Sequence, residues 1–406
     1  MAKQTTVFTE IKGASGGYYL LLLVLAGFIG AALLAAHYME SHGHYVTGMT
    51  NQVVWGMPHV FAIFLIVAAS GALNVASVGS VFGKLPYKPL GRLSGLLAIA
   101  LLIGGLAVLV LDLGRADRLI VAMTKYNFKS IFAWNILLYV GFMLVVAVYL
   151  WMMFERRMNK FSSRAGLFAF VWRFVLTTGT GSIFGFLVAR QAYDAAIMAP
   201  MFVIMSLSFG TAVFILVLMA AYKWSGRPLD DALLERLKRL NGVLVAAVFY
   251  MVIVFHVANL YATEHHGVER FLLLDGGIYT FLFWVVQILL GAIAPLVIFF
   301  TPAFNSRGWT VIGALLVLVG ALAQIYVIII GAQAYPLVLF PAAEVSSSFF
   351  DGQINQYAPT LAETVLGVGG IALALLATAV AVKVLPFLPQ SLGTGDSGAK
   401  KEQTEA

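Results

Sequence analysis

Residues 91–112 read GRLSGLLAIALLIGGLAVLVLD, and this stretch decides the fold. Its charged side chains stand only near the ends, Arg92 at one and Asp112 at the other, and the residues between them are apolar or small. A helix of about 20 apolar residues is long enough to cross a hydrocarbon core of about 30 Å. Because backbone polar groups in lipid must be satisfied within the chain, such a run predicts a membrane-spanning helix.

Runs of the same kind recur along the whole sequence. Of its 406 residues, 61% are hydrophobic and 11% are charged, whereas soluble proteins are about half apolar and a quarter charged. The sequence therefore predicts an all-α polytopic membrane protein with about ten transmembrane helices. The predicted spans are 18–38, 53–80, 91–112, 131–153, 165–189, 200–222, 241–261, 277–300, 308–331 and 361–384.

The basic residues predict which ends of these helices face the cytoplasm. With ten spans both termini lie on one side, and the segments on that side hold 18 of the 25 Lys and Arg residues against six on the other. Because cytoplasmic segments carry an excess of Lys and Arg, both termini are predicted to be cytoplasmic. The placement of the basic residues thus indicates a membrane orientation in spite of the net charge of +7, and no nucleic-acid partner is expected.

Short motifs recur in the same order in the two halves of the sequence and indicate an internal duplication. The matches are Arg92-Leu93-Ser94-Gly95 with Arg239-Leu240-Asn241-Gly242, Ser130, Trp134 and Gly141 with Thr280, Trp284 and Gly291, and Pro58 with Pro200. Parallel repeats are a known way to build membrane proteins. The order predicts two four-helix bundles, helices 2–5 and helices 6–9, with helices 1 and 10 peripheral.

The sequence divides accordingly into five segments. Residues 53–199 form the first bundle, and residues 200–331 form the second. Residues 1–52 precede them and contain helix 1, whereas residues 332–389 contain a periplasmic loop and helix 10. Residues 390–406 are polar and are predicted to form a disordered cytoplasmic tail.

Polar and ionisable residues gather near the non-cytoplasmic ends of the helices. An ionisable residue inside a membrane helix costs about 2.5–3.5 kcal/mol on insertion scales, so each one is a functional candidate. A quinone headgroup requires hydrogen-bond donors, a titratable group and an apolar slot for its tail, and histidine titrates near neutral pH. The candidates for such a site in the first bundle are His59, Asp112, Arg115, Asn127, Ser130 and Trp134.

A thinner polar track runs from this cluster toward the cytoplasmic face. On the second helix Ser70 and Asn74 lie on nearly the same side as His59, and Arg173 and Thr177 share one side of the fifth helix. These four residues are the candidates for a proton path. Structural interpretations remain open: Asp112 and Arg115 could form an interfacial ion pair, His59 could bond to a nearby backbone group, and Arg173 could extend to the membrane surface.

The sequence contains no cysteine. Because iron–sulfur clusters are normally held by cysteine thiolates, electron chemistry here requires a diffusible carrier, a histidine-ligated group or the cofactors of a partner. The pairs His42/His44 and His265/His266 are interpreted as solvated loop residues, so no bound metal is predicted.

Several motifs together resemble the polysulfide reductase membrane-subunit family, NrfD/PsrC. They are Trp55-Gly56, Asp112-Leu113-Gly114-Arg115, Asp117-Arg118 and Asn127-Phe128-Lys129-Ser130 followed by Trp134. The stretch from Leu385 to Pro389 resembles the ten-helix branch that includes HybB-type subunits, and the stretch from His42 to Met49 most resembles the DsrP-type subunits of sulfur metabolism.

This resemblance implies a quinone-interacting membrane subunit of a multi-subunit respiratory oxidoreductase, with the sulfur-metabolism type favoured and with proton transfer as a further option. Its ligand would be a quinone or quinol, menaquinone or ubiquinone, bound without any metal or haem in the first bundle near the periplasmic face. A ferredoxin-like iron–sulfur subunit would dock there and connect to further catalytic or cytochrome subunits. The expected location is the bacterial cytoplasmic (inner) membrane.

The resemblance also assigns the candidate residues. Asp112, Arg115, Asn127, Ser130 and Trp134 match the family's loop after the third helix, and His59 falls where members have polar headgroup contacts. The resemblance implies a subunit that is not catalytic on its own and acts within a quinone-dependent oxidoreductase complex.

Two other functions are compatible with the composition. In a b-type cytochrome, His59 and His256 would ligate a haem between helices, and a reduced-minus-oxidised spectrum would reveal it. A secondary transporter would also use repeats and glycine-rich helices, and substrate uptake by the protein alone would support that function.

Overall fold

The computed structural model describes residues 6–13, 15–337 and 352–392. Residues 338–351 of the predicted periplasmic loop 332–360 and residues 393–406 of the predicted tail 390–406 lie outside the described residues. Within them, ten helices are long and apolar enough to cross a membrane, which confirms the predicted number. They are α1 (Gly16–His42), α2 (Met57–Ser80), α3 (Leu85–Leu111), α4 (Ile131–Phe154), α5 (Asn159–Gly185), α6 (Met198–Ser225), α7 (Asp231–Tyr261), α8 (Ile278–Phe300), α9 (Arg307–Ala334) and α10 (Leu361–Val384).

The helices contact one another in two rings of four. In the first four-helix group, α2 contacts α3 and α5, and α4 contacts the same two helices. In the second four-helix group, α6 contacts α7 and α9, and α8 contacts the same two helices. The groups meet where α2 and α5 pack against α6 and where α2 packs against α9. Helix α2 is therefore the central helix of the molecule, and its apolar length is buried from end to end.

Glycine allows the two groups to approach closely. A Cβ on Gly71 of α2 would collide with the backbone carbonyl of Ser206 on α6, and a Cβ on Gly210 of α6 would collide with the backbone at Gly71 and Ala72. Small residues at such crossings let helix backbones touch, which is the usual source of packing energy between helices in lipid. This crossing fixes α2 against the second group.

Helices α1 and α10 differ in how far they are integrated. Helix α1 packs mainly on α10 and exposes most of its surface, as expected of a peripheral helix. Helix α10 also packs along α2 and α3, and the buried Glu363 lies in its first turn. Contrary to the expectation that both helices are peripheral, α10 is an integral wall of the first group.

The two ends of the described structure meet on one face, here called the terminal face. Strand β1 (Phe8–Thr9) pairs antiparallel with β2 (Leu388–Pro389), Phe8 opposite Pro389. The guanidinium of Arg227 donates hydrogen bonds to the carbonyls of Thr9, Glu10 and Leu388 and so ties both strands to the end of α6. An even number of spans accounts for this meeting, and the helix ends remote from it form the opposite face.

Candidate functional site

At the opposite face, the start of α2 meets the end of α3. His59 lies in the first turn of α2, where Pro58 suits the helix start because proline has no backbone N–H to leave unpaired. Asp112 directly follows the last residue of α3. The Nδ1 atom of His59 lies 3.0 Å from Oδ2 of Asp112, with 21% of the His59 side chain exposed and 1% of the Asp112 side chain. The structure thus brings two of the predicted site residues together.

This pair is close but incompletely bonded. Neither carboxylate oxygen of Asp112 nor Nδ1 of His59 has a hydrogen bond of good geometry within the described parts of the protein. A buried polar group in that condition typically costs about 1–3 kcal/mol. Asp112 also stands at the carboxyl end of a helix, where the helix dipole disfavours a negative charge. The carboxylate therefore has hydrogen-bonding capacity that its neighbours in the described structure do not use.

His44 supports Asp112 from the segment after α1. Its Nε2–H donates a hydrogen bond to the backbone carbonyl of Asp112 at 3.1 Å and lies 3.8 Å from the Oδ1 atom. Gly114 has a φ of 68°, and a Cβ at that position would lie 3.0 Å from the His44 ring. The glycine of the Asp-Leu-Gly-Arg motif is therefore required both by its backbone conformation and by the approach of His44.

An aromatic wall stands beside His59. The Trp55 ring stacks on the His59 ring with centroids 6.2 Å apart, and Phe184 and Tyr193 approach Trp55 at 5.9 and 6.4 Å. Phe132 completes the wall at 6.0 Å from Trp55. Flat apolar faces next to a histidine and a carboxylate suit a planar ring that carries polar substituents.

The segment that leads into α2 is clamped from the second four-helix group, which the sequence analysis missed. The Gln333 side chain on α9 accepts hydrogen bonds from the N–H groups of Val54 and Trp55 at 3.0 Å and donates one to the Trp55 carbonyl at 3.0 Å. Arg190 donates to the carbonyls of Gln333 and Gln52. A glutamine inside an otherwise apolar run was the available signal.

A second clamp comes from α10 and was also missed. The Tyr357 hydroxyl accepts a hydrogen bond from the Met57 N–H at 2.7 Å and donates one to Glu363 at 2.7 Å. Burial and the neighbouring Glu363 carboxylate raise the pKa of Tyr357, so its hydroxyl stays protonated. Glu363 also accepts from the Gly48 N–H at 2.9 Å. These bonds fix the backbone on both sides of the aromatic wall.

The other predicted site residues lie in the exposed connection between α3 and α4 or, in the case of Trp134, in the first turn of α4. Arg115 forms a bidentate ion pair with Asp117 at 2.9 Å, which holds the pKa of Asp117 below its usual range. Arg115 is therefore paired with Asp117 and not with Asp112, so the interfacial ion pair between Asp112 and Arg115 is absent from the described structure. Asn127 accepts a bond from the Lys129 N–H, Ser130 is half-buried at the start of α4, and the Trp134 indole bonds to the Phe128 carbonyl. These contacts do not join them to the His59–Asp112 pair.

The predicted polar track in the first group is assembled between α2 and α5. The Ser70 and Thr177 hydroxyls lie 2.6 Å apart, and Arg173 donates to the Ser70 carbonyl and to the Asn74 side chain, each at 3.3 Å. Only 2% of Arg173 is exposed. Arg173 therefore does not extend to the membrane surface, and all four residues are buried together.

The second group contains its own histidine–acid pair near the opposite face. His256 Nδ1 lies 2.6 Å from Oε2 of Glu269, and Asn259 donates to Oε1 at 2.8 Å. His59 and His256 thus have separate acidic partners in separate four-helix groups, which does not favour their use as axial ligands of one haem. Among residues 6–13, 15–337 and 352–392, no cluster of three or more His, Asp and Glu side chains could hold a metal ion.

Comparison with known proteins identifies the family. The family model described as "Polysulphide reductase, NrfD" matches residues 45–336. The chain belongs to the NrfD family. This NrfD protein is a multi-pass membrane protein, and the match spans α2 to α9 with both histidine–acid pairs. The resemblance seen in the sequence motifs is therefore confirmed.

Curated relatives of this NrfD protein are named as subunits of oxidoreductases, and one of them is named as an integral membrane subunit. The protein is 27% identical to the Hdr-like menaquinol oxidoreductase integral membrane subunit of Archaeoglobus fulgidus, over 94% of this sequence and 97% of the relative. It is 22% identical to a selenate reductase subunit of Mesobacillus selenatarsenatis, over 91% and 93%. It is 23% identical to a polysulfide reductase subunit of Wolinella succinogenes, over 70% and 96%.

Proposed function

We propose that this NrfD protein is the quinone-interacting membrane subunit of a multi-subunit oxidoreductase. The observation that carries the proposal is the buried Asp112 carboxylate, which lies 3.0 Å from His59 with unused hydrogen-bonding capacity. The relative of this protein in Archaeoglobus fulgidus is named a menaquinol oxidoreductase subunit. We therefore favour menaquinone over ubiquinone as the quinone. The name of the Wolinella succinogenes relative supports the sulfur-metabolism type.

The residues of the pair fit a quinone headgroup. A bound quinone supplies the two-electron chemistry, and its oxygens require donors or proton acceptors. The exposed edge of His59 would bind one quinone oxygen, while Asp112 orients the imidazole and holds a proton at Oδ1 or Oδ2. Trp55 would pack against the quinone ring. The hydrogen bonds that link Gln333 and Tyr357 to the neighbouring backbone would keep Trp55 in position. Arg115, Asn127, Ser130 and Trp134 remain predictions for the outer edge of this site.

The proposal includes a sidedness and a partner. With the terminal face in the cytoplasm, as the basic residues predict, the His59–Asp112 pair lies at the periplasmic face of a bacterial inner membrane. Because the sequence has no cysteine thiolates to hold a cluster, electrons would pass to or from a ferredoxin-like iron–sulfur subunit docked at that face. Catalytic or cytochrome subunits would complete the assembly.

The buried track of Ser70, Asn74, Arg173 and Thr177 is proposed as a proton path for this site. Ser70 and Thr177 exchange a hydrogen bond at 2.6 Å, and hydroxyls can both accept and donate a proton. Arg173 would keep the track polar and exclude other cations by its charge.

Equilibrium binding of a short-chain menaquinone to the full-length protein in lipid nanodiscs tests the proposal. We expect Asp112→Asn to weaken binding by at least tenfold, because the substitution alters the charge and protonation of the group facing His59. Asp275→Asn is the matched control, since Asp275 is exposed and paired with Arg270 in the corresponding connection of the second group. Equal affinity of the wild type and Asp112→Asn would refute the site.

A further inference from the structure

The second four-helix group contains a line of buried polar residues that the quinone proposal does not use. On α7, Lys238, Asn241, His256 and Asn259 fall within an arc of about 60° at 100° per residue. Lys238, Asn241 and Asn259 are exposed by 2%, 0% and 5%, and the His256 side chain by 12%. Polar and ionisable groups are costly inside a membrane helix, so four of them on one buried face indicate a function.

Each end of this line reaches the vicinity of a membrane surface. Near the terminal face, the Lys238 ammonium donates to Asn305 at 3.2 Å and lies 2.9 Å from Glu235, whose side chain is partly exposed. Near the opposite face, the line ends at the His256–Glu269 pair, which is exposed only through the histidine. Both ends are therefore groups that can exchange protons with water outside.

Two adjoining cavities occupy the part of this stretch between Val245 and His256. One lies against Val245, Val248 and Gly291, and the other reaches His256. Gln287 of α8 and Gln324 of α9 line both cavities. The cavities thus join the middle of the group to the histidine–acid pair.

Buried amide atoms along the line lack protein partners. Gln287 Oε1, Gln324 Nε2 and both amide atoms of Asn241 have no hydrogen bond within the parts of the protein that the structure describes. An unpaired acceptor and an unpaired donor at one cavity are what a bound water requires, since internal waters typically bond to about three buried polar groups. The apolar neighbours alone would favour a dry cavity.

The backbone around the cavities is also unusual. Helix α8 is wound as a π-helix over Leu282–Ile293, which includes Gln287. Helix α9 is wound in the same way over Val327–Gly331, shortly after Gln324. Such windings are rare and occur frequently at functional sites.

We propose that the second four-helix group is a hydrated proton-conducting track between Lys238 and the His256–Glu269 pair. Water bound to Gln287, Gln324 and Asn241 carries the proton, while the neutral amides hold the water in place. Glu269 and His256 bind the proton at one end, and the Lys238–Glu235 pair exchanges it with the aqueous phase at the other. No electron transfer and no covalent step are involved.

Proton flux through the purified full-length protein in liposomes tests this proposal without any quinone. A potassium gradient with valinomycin sets the membrane voltage, and a trapped pH-sensitive dye reports proton entry. We expect the Gln287→Leu/Gln324→Leu double variant to conduct at least fivefold more slowly than the wild type, because leucine fills the same space without binding water. Thermal unfolding checks that the variant is folded.

Glu269→Gln provides a second variant that keeps the shape of the buried acid. It should also slow proton entry at least fivefold, whereas Glu264→Gln, an exposed change in the same connection, should not. Wild-type flux equal to that of protein-free liposomes, or equal to that of both Glu269→Gln and the double variant, would overturn the track. Either result would leave the quinone proposal intact, since the assay contains no quinone.

Discussion

The two four-helix groups each set a histidine beside a buried acid near the same face, but they complete the two pairs differently. His59 lies 3.0 Å from Asp112 outside hydrogen-bond geometry, and 21% of its side chain is exposed. His256 lies 2.6 Å from Glu269, whose other oxygen is taken by Asn259. The first pair has bonding capacity left for a ligand from outside, whereas the second pair is satisfied by neighbouring side chains and adjoins internal cavities.

The source of each acid explains this difference. Asp112 ends a long membrane helix, so its position is set by the packing of α3 against α2 and leaves its side chain only the partners found there. Glu269 belongs to the short helix His266–Arg270, which folds back over the end of α7. A short connecting helix can adjust to bond its acid fully.

Among the variants that test this difference between the two pairs, Asp112→Asn is expected to have the largest effect. Quinol-dependent turnover of the complex isolated with its native partners should fall by about 10²–10⁴-fold, the usual range for loss of a positioned acid–base group. Asp275→Asn should retain the wild-type rate. A steady-state assay with a menaquinol analogue measures both, and a small loss in Asp112→Asn would place the chemistry elsewhere.

His59→Phe should have the next largest effect. Phenylalanine keeps the contact with Trp55 but cannot bond to a quinone oxygen, so we expect a loss of about 100-fold in turnover. His256→Phe serves as the counterpart in the second group. If both variants lose turnover equally, the two pairs do not have the separate roles inferred from their geometry.

Asn259→Ala should affect stability instead of turnover. It removes the donor to a fully buried carboxylate oxygen of Glu269, which should destabilise the fold by about 1–3 kcal/mol. Thermal unfolding in detergent measures this loss, with the exposed Asn127→Ala as control. A normal melting temperature for Asn259→Ala would mean that the second pair is not held as tightly as its contacts indicate.

The smallest effect is expected for the matched indoles at the two helix starts. Trp134 donates to the Phe128 carbonyl at 2.9 Å, and Trp284 donates to the Leu273 carbonyl at 2.9 Å. Trp134→Phe and Trp284→Phe should each reduce stability by a similar amount, about 0.5–1.5 kcal/mol, the net worth of one hydrogen bond. Turnover should stay within about twofold of the wild type in a stopped-flow assay. A much larger turnover loss in Trp134→Phe would instead favour its predicted place in the quinone slot.

The sequence predicted the membrane helices well because length and hydropathy are local properties. Helix α10 lies at 361–384 as predicted, and the other spans differ at their ends: the first starts at Gly16 in place of residue 18, and the fifth ends at Gly185 in place of residue 189. Capping explains one such end, since the Ser15 side chain accepts a bond from the Tyr18 N–H and starts α1 early. Family membership was equally readable, because its motifs are short and contiguous.

Side-chain partners across the fold were predicted only in part. Helical spacing alone grouped Ser70 with Asn74 and Arg173 with Thr177, but it could not show that the two sets bond to one another. For Asp112 the nearest basic residue in sequence, Arg115, was a misleading candidate, because a better partner for Arg115 stood two residues further on. Gln333 and Tyr357 are not among the residues that the sequence predicts for the site.

The sequence by itself determined the membrane-spanning helices, ten of them among the described residues, and the membership of the NrfD family, since both follow from residues that are neighbours along the polypeptide. Only the tertiary structure decided which side chains contact one another. It places His59 beside Asp112, bonds Gln333 to the backbone of Trp55, and pairs His256 with Glu269. The reason is that the rotation and tilt of a membrane helix are set by its packing against other helices. Apolar runs of similar length contain little information about which helices will pack against them.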